Sequence, residues 1–146
     1  ARDGVDVFLT RLRRYGTVEI AETKDFKRGH HPLVKVLESE SQALRRLIPK
    51  GTYTIGLDEH GPQWTSPDLA RWLKGKRDRG QPSITFVLGG PDGFAPDFRS
   101  GLNRLWSLGA GTLPHELARV VLLEQLYRAA TINAGHPYHR GRPDSG

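Results

Sequence analysis

The hydrophobic positions of this 146-residue chain switch repeatedly between helical and strand periods. Val5, Phe8, Leu9 and Leu12 fall at helical spacing behind Asp3, a residue type that caps helices, so the first segment is predicted to be an amphipathic helix. After Gly16, the short alternating run Val18-Glu19-Ile20 reads as a strand. A second helix is expected from about Pro32, with Leu33, Val36, Leu37, Leu44, Leu47 and Ile48 on one face and Pro49 to Gly51 as its stop. Tyr53, Ile55 and Leu57 then alternate as a strand ending in Asp58. Ser66-Pro67 supplies a cap and a first-turn proline for a third helix carrying Leu69, Trp72 and Leu73, which Gly75 or Gly80 ends. Ser83 to Leu88 is nearly continuously apolar, the pattern of a strand buried on both faces.

Helix and strand thus alternate three times, which predicts an α/β domain with a largely parallel sheet. A last, long helix is expected to begin at Pro114, with Glu116 complementing its dipole, and to run to Asn133 with Gly135 as terminator. Its apolar residues, among them Leu117, Val120, Val121, Leu122, Leu123, Leu126 and Ile132, cover most of its circumference. Such a helix needs a second apolar partner, either another subunit or a deep place within the same chain.

The length suits one domain, residues 1–146, with 141–146 reading as a disordered tail. Lys and Arg number 22 against 16 Asp and Glu, a net charge of +6 that favours a polyanionic partner, nucleic acid first. The absence of cysteine excludes disulfides, thiolate zinc sites and a cysteine nucleophile. With no apolar run of membrane-spanning length and no secretory leader, a cytoplasmic protein is expected. The basic stretch Lys24 to His31 reads as a solvated surface connection.

In open parallel sheets, ligands collect beyond the carboxyl ends of the strands, which directs attention to the loops after Leu57, Leu88 and Leu108. They are Leu57-Asp58-Glu59, Leu88-Gly89-Gly90-Pro91-Asp92-Gly93, and Leu108-Gly109-Ala110-Gly111-Thr112-Leu113-Pro114. Glycine lets backbone come close to a ligand, so such loops can offer peptide N–H and C=O groups to a purine; they can equally be plain tight turns. Neither glycine loop is a dinucleotide fingerprint: the position of a third glycine is Pro114, and no phosphate-gripping lysine follows.

The stretch His136-Pro137-Tyr138-His139-Arg140 interleaves an aromatic ring with positive groups, as a surface that stacks on a base and meets phosphate requires. Its His-x-x-His spacing is compatible with zinc, but no cysteine or evident carboxylate completes a site, so no metal is expected.

Taken in order, Leu88 to Gly93, Trp106-Ser107-Leu108, Thr112-Leu113-Pro114-His115, Glu124-Gln125-Leu126-Tyr127-Arg128-Ala129 and His136 to Arg140 resemble the bacterial RlmH family. These are SPOUT-class methyltransferases that act on N3 of a pseudouridine in 23S ribosomal RNA of the large subunit. The resemblance implies an α/β fold with a mostly parallel sheet and a C-terminal trefoil knot, over about residues 84–135 of a single domain, a rare exception to un-knotted topology. It implies a homodimer, S-adenosyl-L-methionine as methyl donor, and the assembled ribosome as target. It also implies that Leu57, Gly89, Gly90, Leu108, Gly109, Ala110, Gly111, Thr112, Leu113 and Pro114 hold the donor. Asp92, His136, Tyr138, His139 and Arg140 are the candidates for RNA contact, and His115, Tyr138, His139 and Arg140 for catalysis, although His115 can equally be a neighbour of the helix cap.

Two departures stand out. Family members begin with a strand ahead of the first helix, whereas this sequence opens directly in that helix, so the first strand is expected to be missing. The loop Gly109-Ala110-Gly111 replaces a pattern with serine first and leucine third, which leaves backbone contacts and removes side-chain ones. Methylation of another RNA position or of a ribose hydroxyl is the alternative within enzymes. An RNA-binding protein with a vestigial pocket is the alternative outside them.

Overall fold

The computed structural model describes residues 17–23, 31–80, 83–109 and 115–135. The expected first helix, most of the basic connection and the segment 136–140 lie outside these residues. Among the described residues the order is β1 (Thr17–Glu22), α1 (Leu33–Leu47), β2 (Tyr53–Leu57), α2 (Ser66–Asp78), β3 (Ser83–Leu88), α3 (Pro96–Gly101), β4 (Arg104–Trp106) and α4 (His115–Asn133). The strands form a four-stranded sheet in the order β1-β3-β2-β4. β2 runs parallel to β3, with Ile55 beside Phe86, and parallel to β4, with Leu57 beside Trp106. The parallel α/β reading therefore holds. Described residues 18–63 and 83–115 form one compact unit, and residues 64–80 with 116–135 form a second.

In the first unit, the two faces of the sheet differ in the size of their side chains. Ile55, Phe86 and Trp106 line one face and are all buried, Phe86 meeting the Trp106 ring edge-on at 6.0 Å between centroids. The other face presents Thr54, Gly56, Thr85 and Val87, and on it Ala21, Leu44, Val87 and Phe98 form a core cluster against which Ile48, Phe94, Ala95 and Leu102 pack. Small residues are needed there, because a Cβ on Gly56 would lie 2.5 Å from Leu102 Cδ1 and 3.1 Å from Phe94 Cε2. The alternation of Tyr53, Ile55 and Leu57 marks a real face, but Thr54 and Gly56 are buried too, since β2 is central. Thr54 meets the demand for polar satisfaction through Asn103. Its N–H (2.8 Å) and hydroxyl (3.0 Å) both donate to Asn103 Oδ1, and the Asn103 N–H donates back to Thr54 Oγ1 at 3.0 Å.

Helix α1 begins and ends where its sequence predicts, but its apolar face is narrower. Leu33 and Leu47, at its two ends, are exposed, and the buried positions are Val36, Glu40, Ser41 and Leu44. Ser41 satisfies its hydroxyl on the Leu37 carbonyl one turn back, at 2.7 Å.

The second unit contains α2 and α4. The cap of α2 is Thr65 rather than Ser66, one residue earlier than expected. Thr65 Oγ1 accepts from the Asp68 N–H and Asp68 Oδ2 accepts from the Thr65 N–H, each at 3.2 Å, so Thr65 and Asp68 form a capping box that Ser66 is misplaced to make. Gly75 lies inside the helix, and Gly80, at φ +84°, follows its end. Ser66 donates to Gln125 Oε1 at 2.8 Å, and Asn133 Nδ2 to the Ala70 carbonyl at 2.9 Å, which ties α2 to the middle and to the last residue of α4. Helix α4 ends at Asn133 as expected, with Gly135 at φ +72° beyond it. Leu122, Leu123, Leu126 and Ala129 are fully buried, whereas Leu117 in the first turns is 49% exposed. The even apolar coverage of this helix thus corresponds to burial only in its later turns.

Hydrogen bonds from the Thr65 side chain and backbone hold the Asp68 carboxyl below its ordinary value of 3.8, and Arg71 adds to the effect. A depressed carboxyl contributes stability that is complete above the unfolded value and is lost as pH falls through the folded one. The unfolding midpoint is therefore expected to fall with acidification below about pH 4 more steeply in the unsubstituted chain than in Asp68→Asn. Parallel midpoint-against-pH curves would remove this role from Asp68.

Candidate active site at the carboxyl ends of the strands

Because β2, β3 and β4 are parallel neighbours, Leu57, Leu88 and Trp106 end at one edge of the sheet, and the three loops singled out in the sequence start from it. The turn after β2 is held by main-chain bonds. Asp58 N–H donates to the Trp106 carbonyl at 3.0 Å, Gly61 N–H to the Asp58 carbonyl at 2.9 Å, and Ser107 N–H to the Pro62 carbonyl at 2.9 Å. Asp58 adds two side-chain bonds, accepting the His60 N–H on Oδ1 at 2.8 Å and pairing through Oδ2 with Arg99 Nε at 3.0 Å. Leu57, half-buried, stands at the mouth of this turn.

After β3, Gly89 and Gly90 lead into a turn closed by the Gly93 N–H on the Gly90 carbonyl at 3.1 Å, with Gly93 at φ +83°. A side chain at Gly89 would strike the Phe94 ring at 2.9 Å, and one at Gly90 would strike the Glu40 carboxylate at 2.6 Å. Both positions accept only glycine without rearrangement, which leaves bare backbone at the strand end. Gly90 N–H donates to Glu40 Oε2 at 3.2 Å. Asp92 is exposed at the tip of the turn.

After β4, buried Ser107 folds the chain back on itself: its Oγ donates to the Gly109 carbonyl at 2.8 Å and accepts the Gly109 N–H at 3.2 Å. Leu108 and Gly109 are half-buried beside it.

The structure thus brings Leu57, Gly89, Gly90, Leu108 and Gly109 to one edge of the sheet. His115 opens α4, while Ala110, Gly111, Thr112, Leu113, Pro114, His136, Tyr138, His139 and Arg140 lie outside the described residues. Sequence reasoning missed Glu40, the Asp58–Arg99 pair and Ser107 as parts of this edge. Glu40 had a readable signal: it falls four residues after Val36 and four before Leu44, a carboxylate in the middle of an apolar line. Among the described residues, no group of three or more His, Asp or Glu side chains is placed to hold a metal ion, and no helix is long and apolar enough to cross a membrane.

Comparison with known proteins bears on what such an edge does. Residues 1–139 match a family model described as "Predicted SPOUT methyltransferase". A protein of Geobacter metallireducens named ribosomal RNA large subunit methyltransferase H is 42% identical over 138 residues, covering 94% of this chain and 88% of that protein. One of the same name from Deinococcus deserti is 41% identical over 140 residues, covering 96% and 90%. Among solved structures, the SpoU methyltransferase AviRb of Streptomyces viridochromogenes, in complex with the cofactor AdoMet, aligns with a TM-score of 0.43 and 14% identity, over 92% of this chain and 57% of that one. The resemblance carried by the ordered motifs extends over nearly the whole sequence, and the chain belongs to the SPOUT methyltransferase family.

Proposed function

We propose that this chain methylates N3 of a pseudouridine in 23S ribosomal RNA, with S-adenosylmethionine as donor, in the cytoplasm and on the assembled ribosome. The observation that carries the reading is the set of glycine-bearing turns at one edge of a parallel sheet, in a chain 42% identical over 94% of its length to a ribosomal RNA large subunit methyltransferase H. The whole chain, 1–146, is read as one catalytic domain, with a trefoil knot over about 84–135.

The residues present fit the donor. Gly89 and Gly90 carry no side chain, and a Cβ at either would crowd Phe94 or Glu40, so peptide groups are what they can offer to an adenosine and an amino acid moiety. Leu57, Gly89, Gly90, Leu108 and Gly109 would hold it, and Ala110, Gly111, Thr112, Leu113 and Pro114 would complete the wall. The sulfonium supplies an electrophilic methyl carbon, whose bond to sulfur breaks with its electrons returning to sulfur as the new carbon–nitrogen bond forms. The chain's own task is then to align N3 with that bond, exclude water and handle the N3 proton. His115, Tyr138 and His139 are the candidates to accept it, and Arg140 to stabilise the ring anion. Asp92, exposed at the β3 turn, and His136 are candidates for RNA contact.

A homodimer suits the first turns of α4, where Leu117 is exposed and Val120 and Val121 are partly so. In such a dimer, the segment 136–140 can serve the partner's donor site.

The reading is tested by titrating the chain with S-adenosylmethionine in a calorimeter, then analysing nucleosides from treated ribosomes. Saturable binding with N3-methylpseudouridine as product is the expected result; a ribose-methylated nucleoside would redirect the assignment. Arg140→Ala is expected to lower RNA methylation at least about tenfold, the size of one lost charge-assisted contact, while donor affinity stays within twofold. Equal losses in both would remove Arg140 from the RNA side.

A further inference from the structure

Glu40 sits where the packing of α1 calls for an apolar side chain. Val36, Glu40 and Leu44 follow one another at four-residue spacing and are 8%, 4% and 1% exposed. Burying a carboxylate is strongly unfavourable unless hydrogen bonds and charge compensate it, whereas leucine or methionine would fill the same line without that cost. A use for the carboxylate lies on the loop after β3, fifty residues on, where Oε2 accepts the Gly90 N–H at 3.2 Å. The contact is close enough that a Cβ on Gly90 would lie 2.6 Å from Oε2 and 3.1 Å from Oε1.

This bond decides more than the place of one amide. The peptide between Gly89 and Gly90 is trans and planar, so its N–H and C=O point in opposite directions. With the N–H directed at Glu40, the Gly89 carbonyl points the opposite way, away from the carboxylate. Two adjacent glycines would otherwise have more rotational freedom than any other pair of residues. Here the Phe94 ring closes against Gly89 on one side, and the Gly90–Gly93 turn continues from the anchored amide on the other.

We propose that Glu40 is a positioning residue for the methyl donor. By holding the Gly90 amide, it fixes the plane of the Gly89–Gly90 peptide and presents the Gly89 carbonyl to the hydroxyl or ammonium groups of S-adenosylmethionine. The inference rests on the methyl-transfer reading given above. It separates Glu40 from a residue that merely fastens α1 to the sheet, since a fastening role predicts that stability, RNA recognition and donor binding decline together.

The test uses the full-length chain carrying Glu40→Gln or Glu40→Leu. Donor affinity is measured by calorimetry with S-adenosylmethionine, the unfolding midpoint by thermal melting, and KM for ribosomes separately from KM for the donor. Glu40→Leu removes the acceptor and is expected to weaken donor binding about tenfold or more, the size of a lost charge-assisted hydrogen bond. Glu40→Gln keeps an oxygen that can accept the Gly90 N–H and is expected to restore part of the affinity, leaving a weakening of about threefold. In both, KM for ribosomes should stay within twofold.

Donor affinity within twofold of the unsubstituted chain in Glu40→Gln and Glu40→Leu would overturn the proposal. So would a parallel decline of donor affinity, ribosome KM and midpoint. If Glu40→Leu does not fold, Glu40→Gln decides alone: a selective loss of donor affinity supports the role, and unchanged affinity overturns it. Failure of the unsubstituted chain to bind S-adenosylmethionine at all would instead sink the methyl-transfer reading, and this inference with it.

Discussion

Replacing Trp106 by alanine is expected to lower the unfolding midpoint by about 10 °C or more. Trp106 is 1% exposed and packs edge-on against Phe86 across the central strand. Removing a buried tryptophan side chain forfeits both its transfer free energy and the contacts around the cavity left behind, about 3–5 kcal/mol together. A domain is stable by only about 5–15 kcal/mol, so this one change removes a large share. At this chain length each kcal/mol shifts the midpoint by roughly 3–4 °C. Trp106→Phe, which keeps a ring against Phe86, should recover much of the loss. Thermal melts of the two variants decide the matter, and an alanine variant melting within about 2 °C of the parent would show that the cavity collapses or that Trp106 carries little of the core.

The second large effect belongs to Gly61. A Cβ there would lie 2.9 Å from the Trp106 nitrogen, 3.1 Å from the Leu105 carbonyl carbon and 3.2 Å from the Asp58 oxygen. All three are main-chain atoms in bonded elements, so nothing can swing aside, unlike a crowded side-chain tip. Gly61→Ala should therefore push the Asp58–Gly61 turn away from β4 and cost about 1–3 kcal/mol, as overpacking does. The same displacement strains the Asp58-to-Trp106 and Ser107-to-Pro62 bonds, so donor affinity should fall along with stability. Gly101→Ala is the control: nothing lies within 4 Å of its Cβ, and alanine suits the end of α3 better than glycine. Urea titration of the pair, with calorimetry on each, would contradict the steric account if the two variants behaved alike.

These effects mark where sequence and structure part. The long elements were legible because their apolar spacing is regular and their ends are punctuated: Pro32 and Pro49 around α1, Gly80 after α2, Gly135 after α4. The segment containing α3 and β4 was not, since six and three residues are too few to show a period. Yet β4 sets the position of the Ser107–Gly109 loop, and α3 supplies Phe98 and Arg99 to the core and the site. Glu40 was overlooked for the opposite reason. A charged residue on a surface helix is ordinarily solvated, and only its coincidence with the Val36–Leu44 line distinguishes it. The loops after Leu57, Leu88 and Leu108 were found from the expected parallel topology, the last two also from their glycine content, and the ordered motifs supplied the family. Gly61 escaped notice because its requirement comes from β4, more than forty residues away, and leaves no local mark.

The Thr54–Asn103 clamp has a consequence for how the chain assembles during synthesis. Both edges of β2 are completed by later sequence, one by β3 and the other by β4 and Asn103. Until residue 106 has left the ribosome, the strand at the middle of the sheet lacks at least one neighbour, and its N–H and C=O groups are open to pairing with other chains. Asn103 is a late arrival that occupies the amide and hydroxyl of Thr54 together, so the last strand docks by satisfying an existing polar demand as well as by burying Trp106. The central strand is therefore exposed to wrong partners until β3, β4 and Asn103 have been synthesised, and the four-stranded sheet is complete only once they emerge.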